Sequence, residues 1–191
     1  MYIPLFPLNI LPMPGELVPL HIFESRYRQL LEDAESRDLF FGILLQHPVN
    51  TDGLGSLVKL ERVIRRHRSG ESDIIIKSYG LFRLEHFDRH HPEKLYPGGE
   101  VVRLESEEEL PADAPLSLRF IRFQKKARTY PRTGELSLYD IANALNLNVV
   151  ERLQFIRMHV EAKSDFLHRK IRFELQLIRA AERSKDVFHL N

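Results

Sequence analysis

The 191-residue sequence predicts an α+β chain in which a small, mainly antiparallel β-barrel precedes a helical bundle. Three observations lead to that class. As far as Leu104, short apolar runs alternate with turn-forming residues at intervals suited to strands. From Glu105 to Pro115 the composition shifts to an acidic, proline-bearing linker. Beyond the linker, apolar residues recur at helical spacing behind capping signatures. The expected division is therefore a β-subdomain over 1–107, carrying one helix near 24–35, and a helical subdomain of about four helices over 108–191.

The opening stretch reads as strand, reversal, strand, helix. Prolines stand at positions 4, 7, 12 and 14, and Pro14-Gly15 is a tight-turn signal, because proline presets φ and glycine accepts φ > 0. Proline withholds a ladder donor, so the first strand is expected at a sheet edge. Tyr27, Leu30, Leu31 and Ala34 follow at helical spacing. Leu39 to Leu45 is short and continuously apolar, which predicts a strand buried on both faces. From Gly55 to Arg68 the pattern alternates, with Val58, Leu60 and Ile64 as the inward set. Arg68 to Ser72 is a hairpin connection, and Asp73 to Tyr79 is a β-branched strand. Gly80 permits a bulge before Leu81–Phe87, and Pro97-Gly98-Gly99 leads into a last strand, Glu100–Leu104.

In the second half, Leu116 to Ala127 forms one helix and Gly134 closes that region. Ser137 with Asp140, and Asn148 with Glu151, have capping-box spacing. Ser164 or Asp165 is placed to cap a final helix whose face is Leu167, Ile171, Leu175 and Ile178. Helices with single apolar stripes are not stable apart and must pack.

Several of these fragments together resemble a known family. Leu5-Phe6-Pro7-Leu8, Pro14-Gly15 and Pro19-Leu20-His21-Ile22-Phe23-Glu24-Ser25-Arg26-Tyr27 are similar, in order and spacing, to the opening of the Lon protease N-terminal (substrate-binding, LAN) domain family. Ser25 departs from it, standing where the family often has proline. Gly53–Leu57, Glu61-Arg62-Val63, Ser78–Leu84 and the helical segment from Leu136 extend the resemblance over nearly the whole chain. It implies a PUA-like barrel and recognition of polypeptide substrates or partner proteins.

Composition narrows the chemistry. Lys plus Arg total 28 against 27 Asp plus Glu, so no bulk attraction to nucleic acid or anionic lipid follows. With no cysteine, disulfides, thiol catalysis and cysteine-ligated zinc are excluded. No apolar stretch reaches transmembrane length and no leader is legible, so a cytoplasmic protein is expected. A phosphate-binding Gly-x-x-x-x-Gly-Lys loop and a Gly-x-Ser-x-Gly elbow are both missing. Ser69 sits at a hairpin tip with no activating base in view.

Asp88, His90 and His91 are too few for a metal site and read as a solvated loop. His21 reads as a hydrogen-bonded residue on the sheet surface. Neither a catalytic residue, a cofactor nor a metal-ligand cluster is expected. The leading expectation is a stand-alone, non-catalytic polypeptide-binding module that stops short of a protease's motor and catalytic domains. Such a module would use a groove between barrel and helices, with Pro12, Met13, Pro14 and Leu17 as partner contacts. Its partners would be polypeptides, with a protease or ATPase acting in trans, or a second copy in a homodimer. The alternatives are an RNA-binding adaptor that grips phosphates with Arg62, Arg65, Arg66 and Arg68, and a hydrolase of unassigned substrate. Carboxylates at Glu61, Glu71 and Asp73 are expected to balance that arginine cluster, and Arg26 is expected to reach a carboxylate elsewhere in the sheet.

Overall fold

A computed structural model describes residues 1–89, 93–104, 110–129 and 134–188, with backbone alone for 184–188. The chain divides into two compact units, Met1–Glu108 and Glu109–Asn191. The first contains β1 (Tyr2–Leu8), β2 (Leu17–Ile22), α1 (Ser25–Arg37), β3 (Phe41–Leu45), β4 (Leu54–Arg66), β5 (Ser72–Asp88) and β6 (Gly98–Arg103).

The strands lie in the order β2-β5-β4-β3-β1-β6, and β5 also pairs with β6. Pairing thus runs round five strands and returns through the second half of β5, while β2 joins the first half alone. The result is a partial ring rather than a clean barrel, antiparallel except where β1 runs parallel to β3. Its interior holds Ile3, Leu5, Leu57, Phe82 and Val101. Phe82 lies where Gly42 and Gly55 leave room, since a Cβ on Gly42 would stand 2.7 Å from the Phe82 ring. A second apolar cluster joins Tyr27, Leu30, Leu31 and Ala34 of α1 to Phe6, Ile22, Phe41, Ile74 and Ile76 of the strands. The helical spacing read from the sequence therefore marks the buried face of α1.

Two expectations about the strands change. β1 is interior, not at an edge: residues 2–4 pair with β6 and residues 5–8 with β3. Backbone groups alternate sides along a strand, so Pro4 and Pro7 each turn the missing N–H to the flank that is unpaired at that point. In β4 the inward residue near the end is Val63, whereas Ile64 is exposed. A register shift between Leu60 and Arg62 inserts Glu61 and flips the side-chain alternation beyond it. A second shift sets Leu57 opposite Gly80 and Val58 opposite Ser78, a bulge at the bend predicted from Gly80.

The second unit contains α2 (Ala114–Ala127), α3 (Leu138–Ala144), α4 (Val149–Arg157) and α5 (Val160–Phe188). Both capping boxes form, with Ser137 and Asp140 on α3 and Asn148 and Glu151 on α4. α2 is capped by Asp113, whose carboxylate accepts from the Leu116 N–H at 2.7 Å, and it stops at Arg128 in the left-handed region rather than at Gly134. α5 begins before Ser164 and Asp165, so neither caps it. Ser164 instead donates from its hydroxyl to the Asp113 carboxylate at 2.8 Å. Leu167 and Ile171 are fully buried, together with Leu116, Phe120, Ile141, Leu153 and Phe155. Lys163 is buried as well, and its ammonium donates to the carbonyl of Met158 at 2.7 Å. It closes the end of α4, where carbonyls have no intrahelical partner.

Candidate functional site

The β2–α1 corner leaves an aromatic side chain in solvent. Ile22 turns inward at the end of β2 and Tyr27 turns inward in the first turn of α1. The short connection cannot also bury Phe23, which is 57% exposed. Tyr27 stacks on Phe6 with ring centroids 3.8 Å apart. Beside Phe23 opens a cavity of about 150 Å³, walled by Phe6, Leu8, Leu20, Glu24 and Tyr27.

On the other side of Tyr27 lies a larger cavity, about 340 Å³, whose lining includes Pro7, Arg26, Gln46, Arg89 and Leu95. Both cavities are made by elements of the β-unit itself. Arg26 lies 4.6 Å over the Tyr27 ring and pairs with Glu24 at 2.7 Å, so its carboxylate is its near neighbour and not one elsewhere in the sheet. Burial raises the pKa of the Tyr27 hydroxyl above its ordinary value, keeping it neutral.

The wall beyond the larger cavity is tied to α1. The Leu95 N–H donates to the Gln29 side chain at 2.7 Å, and both Lys94 and Tyr96 donate to one Asp33 oxygen at 2.7 Å. Burial alone would raise the Asp33 pKa, but these two hydrogen bonds and the Lys94 charge outweigh it and hold the carboxyl ionised. Tyr96 is pushed up, by burial first and by Asp33 second. Cavity walls fixed in this way lose little freedom when something binds between them.

Of the partner contacts expected from sequence, Leu17 is exposed, at 55%. Pro12, Met13 and Pro14 are buried, so the surface role assigned to that loop does not hold as it stands. The Ser56 hydroxyl donates to the Pro12 carbonyl at 2.6 Å, and the Met13 N–H donates to Glu16 at 2.9 Å. Proline rigidity here serves the interior.

Arg62, Arg65, Arg66 and Arg68 are exposed near the end of the β4–β5 hairpin. Arg66 is balanced by Glu35 of α1, not by the carboxylates within the hairpin. Ser69 lies in the hairpin turn, where Gly70 donates its N–H to the His67 carbonyl. Asp88 ends β5 beside His86, at 3.0 Å, whereas His90 and His91 lie outside the described residues.

Sequence reading missed one convergence. Among the described residues, His21, His67 and Asp73 bring potential ligand atoms within 4.8 Å of one another, a grouping the sequence reading did not anticipate. Asp73 contacts His21 Nδ1 through one oxygen at 2.7 Å and His67 Nε2 through the other at 2.7 Å. His21 Nε2 also lies 3.4 Å from Glu71. The hydrogen bond to Asp73 leads in raising the pKa of His21, and the same bond leads in lowering that of Asp73. His67 and Asp73 are six residues apart across the hairpin, a spacing visible in sequence. His21 joins them only through the β2–β5 register, which sets it opposite Asp73.

The β-ring with one packed helix, followed by a capped helical unit, defines a mixed α+β module of the Lon N-terminal type. The model of the ATP-dependent protease La (LON) substrate-binding domain matches residues 2–178, and the chain belongs to that family. The Lon N-terminal domain protein from Xanthomonas campestris has a similar crystal structure, with TM-score 0.63 and 21% identity, covering 92% of this chain and 98% of that one. The N-terminal domain of the Mycobacterium avium complex Lon protease is more distant, with TM-score 0.49 and 12% identity over 94% of this chain and 98% of that one. No curated protein sequence matches the chain significantly. Among the described residues, no helix is long and apolar enough to cross a membrane.

Proposed function

We propose that the chain is a non-catalytic polypeptide-binding module that takes up an apolar side chain of its partner in the cleft beside Phe23. The observation that carries this reading is the exposed Phe23 ring next to an apolar cavity. A large aromatic held in solvent costs hydration that burial against a partner recovers, and such anchors supply much of the affinity at protein interfaces. The neighbouring cavity, lined by Arg26 and Arg89, suits an acidic or carbonyl-rich stretch of the same polypeptide. Membership in a substrate-binding family supports the same class of partner. The expected partners are polypeptides with exposed apolar segments.

The test is fluorescence anisotropy with a labelled, permanently unfolded polypeptide. Phe23→Ser should weaken binding by about tenfold or more, with unchanged circular dichroism. Equal affinity in the variant would remove the cleft from the binding surface. Salt-sensitive retention of RNA with no polypeptide binding would favour the arginine cluster instead.

A further inference from the structure

We propose that His21, His67 and Asp73 form a binding site for a divalent transition-metal ion of the zinc type, with the fourth position open to solvent. The donors come from two backbone-locked positions. His21 and Asp73 face each other in the β2–β5 register, and the His67 N–H donates to the Glu71 carbonyl at 2.9 Å across the hairpin turn. The ligand atoms of His21, His67 and Asp73 lie within 4.8 Å of one another. Zinc–donor bonds of about 2.0–2.2 Å at tetrahedral angles set donors roughly 3.3–3.6 Å apart. Rotations of the exposed His21 and the half-buried His67 and Asp73 side chains span that difference without moving the strands.

The donor chemistry selects the ion. Two imidazoles and one carboxylate suit a borderline cation, whereas calcium and magnesium require oxygen-rich shells. Asp73 already lies between the two imidazoles, using one oxygen for each. In that arrangement the carboxylate shares protons with the rings, and a bound cation would take the place of those protons. Nearby positive charge moderates the affinity. Arg65 stands in register with Asp73, and the Arg28 guanidinium lies against Gly70. The site is therefore open and weaker than a closed thiolate site. It adjoins the cleft, since His21 also lines that cavity with its ring 6.1 Å from that of Phe23, but the Phe23 test and the metal test can fail independently.

The experiment uses the tag-free full chain after chelator treatment, at pH about 7.5 and again at about 8.5, because Asp73 raises the pKa of His21 and the ring must be neutral to ligate. Cobalt(II) absorption and zinc(II) calorimetry follow binding, and histidine ring resonances locate it. One saturable site is expected, with His21 and His67 resonances moving and no competition from magnesium or calcium. His67→Ala and Asp73→Asn should each weaken it by about tenfold or more. His21→Gln, with metal-free circular dichroism, guards against a folding defect. Absence of saturable binding up to about 100 µM zinc overturns the proposal, since Kd would then lie beyond useful affinity. Undiminished binding in His67→Ala overturns it equally.

Discussion

The two units fill their interiors by opposite means. The β-unit relies on pairings between residues far apart in sequence and on close approach: Phe82 fills the ring because Gly42 and Gly55 carry no side chain. The helical unit relies on local devices, two capping boxes and an Asp113 cap, supplemented by a buried lysine. The contrast teaches where each is vulnerable. The ring should fail through loss of volume, the helices through loss of a polar peg.

The largest expected effect breaks the ring. Phe82→Ala should cost about 3–5 kcal/mol, because a fully buried aromatic is removed and Gly42 and Gly55 have no side chains to fill the space it leaves. Chemical denaturation gives the total. Hydrogen exchange should show the loss in the amides of β3, β4 and β5, with those of α3 and α4 as reference. An equal loss of protection in α3 and α4 would mean that the contrast between the units does not extend to their unfolding.

A smaller effect tests the peg. Lys163→Met keeps the stem and removes the ammonium that donates to the Met158 carbonyl. Leaving those carbonyls unsatisfied should cost about 1–3 kcal/mol, read as a lower denaturation midpoint. Unchanged stability would show that apolar burial of the stem was sufficient.

The same contrast explains how much was legible in the sequence. Ser137 with Asp140 and Asn148 with Glu151 announce their helices because a capping box is complete within four residues. Strand identities were legible from turn residues and β-branching, and so was the buried face of α1. The exit of β4 from simple alternation was not, since the extra residue at Glu61 is defined only against β5. The burial of Pro12–Pro14 was equally hidden: its anchor, Ser56, is 44 residues away. Ser164 looks like a cap until Asp113, 51 residues earlier, is seen to receive its hydroxyl. Phe23 lay within a recognised motif, yet its exposure depends on Ile22 and Tyr27 both turning inward. His21 and Asp73 are 52 residues apart, so no local spacing could bring them together.

The subtlest expected effect separates the units by pH. In the helical unit, Asp113 is held below its ordinary 3.8, chiefly by the Leu116 N–H, and Glu151 below 4.5, where the Lys170 contact overcomes the opposing effect of burial. Lowered acids contribute stability above their unfolded pKa and lose it as pH falls through the folded value, so both act on the acid side only. Asp73 in the β-unit behaves likewise below 3.8. His21 has the opposite sign. Its pKa is raised above 6.5, so its contribution is complete below that value and fades as pH rises through the folded pKa. Between about pH 6 and 8 the β2–β5 pairing should therefore loosen slightly while α3 and α4 do not change. Metal-free NMR titration reads this directly: the His21 midpoint should lie above 6.5 and fall back towards it in Asp73→Asn. A midpoint indifferent to Asp73→Asn would mean that the carboxylate does not hold the imidazole in solution, and the pH contrast between the units would go with it.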